Sequence, residues 1–254
     1  SVGSVGSVGL VQRRAASGVN QRRQLADSYS PVFSDVLSRI FKRERADVMR
    51  QAGKQSVTAD PLIRWIEDYY QEHPAFSART ILPALESYAD AVGRTTEAEI
   101  DQAWNGLTDE TRAFLGEYSE AFGLRAAISS RMRLAATIRT AAAEEQDIAE
   151  ALGTEFDGWQ EARVPADTNH EVVQSANAIT KAIYVLAGVQ ILKWEANPTA
   201  CPICQEMDGR VVGITSSFVS AGQSVGPDEG PLTVEREFGH PPLHDGCVCG
   251  ISPG

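Results

Sequence analysis

From Phe33 to about Leu152 apolar residues recur at intervals of three and four, the spacing of a buried helix face. Phe33, Val36, Leu37, Ile40, Phe41 and Val48 form one stripe. Gly53 and the Asp60-Pro61 step interrupt it, since proline suits a helix's first turn. Leu62, Ile63, Trp65, Ile66 and Tyr69 open a second helix, which His73-Pro74 is expected to break. Thr96 with Glu99 has capping-box spacing, and Thr108 stands before an acidic first turn. Leu124, Ile128, Ala135, Ile138 and Ala142 mark a long, Ala-rich helix. Five or six helices are expected here, as a bundle or stalk.

Thr168 and Glu171 repeat the capping-box spacing, and Val172, Ala176, Ile179, Ile183 and Leu186 line the face that follows. Gly188 can close that helix in a left-handed cap. Val189–Trp194 alternates weakly and reads as a strand. Residues 197–254 are rich in Gly, Pro, Ser and Cys, so too few large apolar side chains remain to build a core alone. The fold class is therefore mainly α: an N-terminal helical bundle or stalk, then a small α+β C-terminal module with a zinc knuckle. The expected spans are a flexible basic arm over 1–30, a helical domain over 31–155 and the C-terminal module over 156–254.

Charge changes this picture at the N-terminus. The chain of 254 residues carries a net charge of −11, yet residues 1–60 hold ten bases and five acids. The repeated Ser-Val-Gly of the first nine residues reads as a tail, followed by Arg13-Arg14 and Arg22-Arg23. The arm either docks on something acidic or is a solvated face. The acidic body argues against specific nucleic-acid binding. No apolar run reaches transmembrane length and no secretory signal opens the chain, so no membrane association is expected.

The candidate chemistry sits at the other end. All four cysteines fall within residues 201–254, as Cys201-Pro-Ile-Cys204 and Cys247-Val-Cys249, and His244 precedes the second pair. A CxxC turn aims two sulfurs at one point, and His244-x-x-Cys247 can supply two more donors. Structural zinc takes four S/N donors. Cys201, Cys204, His244 and Cys247 are the first choice, with Cys249 the rival for either late position. Two disulfides or free thiols are the competing reading. No catalytic residue is assigned. The zinc deaminase pattern fails because Ala200 precedes Cys201 and no His has Glu two residues later. An HNH-like nuclease is disfavoured by two bases against seven acids over 201–254. Trp65, Trp104, Trp159 and Trp194 read as core residues, and Asp208-Gly209 as an ordinary turn.

The C-terminal hundred residues resemble the phage Mu F-like, or head morphogenesis (minor capsid), family. The resemblance is carried, in order, by Ala162-Arg163, Glu171 and Asn177, Ala187-Gly188-Val189, Trp194, Cys201-Pro-Ile-Cys204 with Asp208-Gly209, and Pro241-Pro242-Leu-His244-Asp-Gly-Cys247-Val-Cys249. Asp245 and Val248 stand where the family's ending has Pro and Arg. The resemblance implies a non-enzymatic virion protein of a tailed phage at the portal vertex or capsid interior, passing through the host cytoplasm during assembly. Its implied partners are the portal protein, with major capsid or scaffold protein as further candidates, in several copies around the portal. It also implies a role in head assembly, and in some members DNA packaging or ejection. A zinc-dependent enzyme and a host helical binding module are the alternatives.

Overall fold

The computed structural model describes residues 4–54 and 58–254, with side chains from residue 17 onward. The chain is mainly α, with a small α+β region at its C-terminal end. Its long helices are α1 (Ser4–Ala52), α2 (Ala59–Glu99), α3 (Asp109–Ala143), α4 (Ile148–Gly158) and α5 (Val164–Leu186). A π-turn, Trp159–Arg163, joins α4 to α5. Then come β1 (Ile191–Glu195), α6 (Pro202–Met207), β2 (Val211–Gly213), β3 (Ser224–Val225), β4 (Leu232–Thr233) and β5 (Gly250–Pro253). Strands β2, β1 and β5 form an antiparallel sheet in that order, and β3 pairs with β4. No described helix is long and apolar enough to cross a membrane.

Two compact units emerge, and neither is a continuous stretch. One takes in the chain up to Ser30, Glu86–Thr111 and Asn169–Gly254; the other takes in Pro31–Leu85 and Arg112–Thr168. Helices α1, α2, α3 and α5 each run from one unit into the other.

In the all-helical unit the stripe of Phe33, Val36, Leu37, Ile40, Phe41 and Val48 is wholly buried, as its spacing requires. The expected break at His73-Pro74 is absent: α2 runs through both Pro74 and Pro83. Close packing supports the chain here, for Gly123 of α3 lies so near the Pro74 carbonyl that any Cβ would overlap it. Beyond α3, the wider π-turn carries Trp159 and Arg163 inward. Arg163 is buried between the rings of Phe41 and Trp159, at 4.3 and 4.2 Å, and donates to Ser130 Oγ (2.9 Å) and Asp167 (3.1 Å). The expected helix start at Thr168 is therefore mid-helix. Leu124 and Ile128, expected on the buried face of α3, are exposed.

In the other unit the expected flexible arm is helix from Ser4 onward, and Val19, Arg22 and Ala26 are buried. Ser1–Gly3 of the Ser-Val-Gly repeat, and the side chains of Arg13 and Arg14, lie outside the described residues. Thr96 and Glu99 end α2 instead of starting a helix. Glu99 is buried, accepts from Arg22 at 2.5 Å and takes the Tyr184 hydroxyl on the same oxygen. Helix α5 is buried on every side from Glu171 to Thr180, whereas Leu186 at its end is exposed. Thr108 caps α3 as expected, accepting from the Thr111 amide, and Gly188 closes α5 at φ +77°.

Candidate metal centre

The C-terminal region has a core of Tyr184, Leu192, Trp194, Met207, Phe218 and Ile251, and Cys204, Cys247 and Cys249 belong to the same buried cluster. Local geometry explains how the first pair arrives. Cys201 is the extended residue just before α6 and Pro202 occupies the first helical position, where its fixed φ suits the turn. Cys204 falls one turn later, so both sulfurs lie on one side of the helix start. Behind them Gly209, at φ +73°, turns the chain into β2.

His244 arrives on the loop before β5. Its Nε2 lies 3.2 Å from Cys201 Sγ and 3.1 Å from Cys204 Sγ. Its Nδ1 lies 2.8 Å from the Asp245 carbonyl oxygen. A carbonyl only accepts, so Nδ1 carries a proton while Nε2 faces the two sulfurs. Metal-ligating histidines are oriented by bonds of this kind. Cys204 Sγ is also 3.5 Å from Cys247 Sγ.

The donors fall into two triads, Cys201–Cys204–His244 and Cys204–Cys247–Cys249, each with its donor atoms within 4.8 Å of one another. Cys204 belongs to both. Zinc–sulfur bonds of about 2.3 Å in a tetrahedron separate sulfurs by about 3.8 Å, so donors at these spacings fit a metal ion. All four cysteines are free thiols. His240 lies in neither triad; its Nδ1 faces the Pro241 carbonyl at 2.6 Å.

Electrostatics favour one thiolate in the cluster. The hydrogen bond to Cys247 pushes the Cys204 thiol well up, and the same contact holds Cys247 well below the ordinary thiol range. Burial raises Cys201, but the Cys204 backbone N–H and the His244 ring outweigh it and bring the thiol down. Metal binding needs deprotonated thiols, so the cluster begins partly prepared.

No protein-family model, curated protein or solved structure matches this chain.

The loop carrying the second pair is tied down by residues that spacing alone did not single out for this work. Arg23 donates to the Val248 carbonyl at 3.0 Å and to the Glu195 carbonyl at 3.1 Å. Arg22 donates to the Ile251 carbonyl at 2.6 Å, and Asn177 to the Cys249 carbonyl at 3.1 Å. The basic pair at residues 22–23 thus binds carbonyl oxygens of its own chain. Unpaired carbonyls at the end of a β-poor segment were the only available signal, and they are invisible before the fold is known. The tryptophans behave as core residues where they are buried: Trp159 and Trp194 are fully so, while Trp104 is half-buried and donates to Asp90 at 2.7 Å.

Proposed function

We propose that this chain is a structural minor capsid, or head morphogenesis, protein of a tailed phage. In this reading it binds the portal vertex or capsid interior during head assembly, in several copies. Zinc is held by Cys201, Cys204, His244 and Cys247, with Cys249 as the rival ligand. Bound zinc would tie the start of α6, which carries Cys201 and Cys204, to the loop that carries His244 and Cys247. The chain's own residues do the rest: His244 is oriented by the Asp245 carbonyl, and Arg22, Arg23 and Asn177 hold the loop that carries Cys247 and Cys249.

One observation carries the reading. The Cys and His residues that carry part of the family resemblance, Cys201-x-x-Cys204 and His244-x-x-Cys247-x-Cys249, are brought together in two triads that share Cys204. Three of the donors, Cys204, Cys247 and Cys249, are buried in an apolar cluster. Such a setting favours a closed structural site over one with an open position. Mixed sulfur and imidazole donors suit zinc.

The test is co-expression with the portal protein of the same source, followed by native mass spectrometry. A defined complex carrying one zinc per chain is expected. A zinc-bearing chain that never associates with portal or capsid protein overturns the virion reading. Metal-dependent turnover lost in His244→Ala, with the fold retained, would replace it with an enzyme.

A further inference from the structure

Helix α3 carries large apolar residues both in the core and in water. Leu115, Phe122, Leu134 and Ile138 are buried. Leu124, Ile128 and Met132 are 55%, 51% and 64% exposed, and their spacing of four places them on one continuous stripe. At about 100° per residue this stripe lies well round from Leu115, Phe122 and Leu134, and towards its C-terminal end it borders buried Ala135 and Ile138. Isolated exposed apolar residues are ordinary, but three large ones in helical register are not.

The charge on this stretch is as unusual as its apolarity. Residues 121–143 contain four arginines and no Asp or Glu, within a chain of net charge −11. Arg131 and Arg139 fall in the same angular sector as the stripe, and Arg133 lies further round. All three are exposed, and none forms an ion pair among the described residues. The stripe also runs into a groove of about 510 Å³ between α2 and α3, lined by Pro74, Ala78 and Leu82 on one side and Gly116, Ser119 and Leu124 on the other.

We propose that this face of α3 is a docking site for an acidic amphipathic helix of a partner protein. Leu124, Ile128 and Met132 would meet the partner's apolar face, the groove beside Leu124 would take its apolar anchor, and Arg131 and Arg139 would pair with flanking Asp or Glu. Helix-in-groove recognition uses anchors at this spacing, and charge complementarity sets partner and orientation. Nucleic acid fits less well. Phosphates have no use for exposed Leu, Ile and Met, and bases stack on aromatic rings, whereas Phe122, the one aromatic residue of this stretch, is buried. A lipid surface fits less well too, because no exposed Trp or Phe accompanies the stripe among the described residues. The inference is independent of any virion role.

The experiment uses the full chain and a fluorescent, helix-constrained peptide of three heptads, with Leu on one face and Glu flanking it. The expected result is saturable binding that weakens several-fold between about 0.05 and 0.5 M salt. Leu124→Ser with Ile128→Ser should weaken it at least about tenfold, the scale of losing two apolar anchors. Arg131→Glu with Arg139→Glu should lose the Glu-flanked peptide and gain the Lys-flanked one. All four positions are exposed, so unchanged thermal melting shows that the fold is intact. Absence of binding, equal affinity for Glu- and Lys-flanked peptides, or tighter binding to duplex DNA or phosphatidylserine vesicles would each overturn the proposal.

Discussion

The all-helical unit and the C-terminal segment after α5 solve the same problem with different means. The helical unit satisfies its backbone within each helix and buries stripes such as Phe33–Val48 and Leu115–Ile138. The C-terminal segment has strands of two to five residues and leaves many carbonyls without ladder partners. It compensates with guanidinium and amide donors from α1 and α5, and with a cluster of sulfur and imidazole donors. Where apolar area is sufficient, specific chemistry is optional; where it is scarce, single residues carry the structure.

On the proposed zinc site, loss of the metal should separate the two most sharply. A chelator, or Cys204→Ser, which touches both triads, is expected to melt the C-terminal segment and leave most helical circular dichroism intact. Structural zinc contributes on the order of 10 kcal/mol to small peptides, so the effect should dominate all others. Hydrogen exchange checks it: new exchange confined to residues after Leu186 is expected, and global unfolding would break the comparison.

The helical unit has its own dependence on one residue. Arg163→Ala removes a buried cation that touches Phe41, Trp159, Ser130 and the half-exposed Asp167, and should cost about 2–3 kcal/mol through lost ring contacts and hydrogen bonds. Urea midpoints measure it. A loss under about 1 kcal/mol would mean that the apolar stripes alone suffice.

Glu99 tests the unit that contains the cluster. Burial pushes its carboxyl above the ordinary value of 4.5, against the pull of Arg22 and the Tyr184 hydroxyl, while Glu195 adds to the rise. A raised pKa means the folded state holds the proton more tightly than the unfolded chain. Its stabilising contribution is therefore complete below about 4.5 and is lost as pH rises through the raised value. Glu99→Gln should flatten that part of the pH–stability curve. An unchanged curve would show that Arg22 keeps the carboxylate charged throughout.

The smallest expected effect is Gly123→Ala. Its Cβ would overlap the Pro74 carbonyl, so the gain in helix propensity should be outweighed by about 1–3 kcal/mol of overpacking. Calorimetry would show a lower melting temperature for the helical unit, and a rise would mean α2 and α3 can part without cost.

Much of this was legible in the residues. The period of Phe33–Val48, the caps at Thr108 and Gly188 and the spacing of Cys201-x-x-Cys204 all act through neighbours close in sequence, which is why the pattern gives them directly. The strand expected at Val189–Trp194 appears as β1 over Ile191–Glu195, shifted by the turn at Gly188. The tertiary structure decided the rest, because each case turns on a partner distant in the chain. Helix α2 continues through Pro74, where Gly123 of α3 packs against the Pro74 carbonyl. Thr96 and Glu99 lie at a helix end, where Glu99 meets Arg22 and Tyr184. Apolar periodicity on α3 does not say how far along one face burial extends; contact with the other helices buries Ala135 and Ile138 and leaves Leu124 and Ile128 of the same series in water. Local spacing thus determined the helices and the donors. Long-range packing determined which faces are buried and which donors meet, since burial and convergence belong to the folded chain alone.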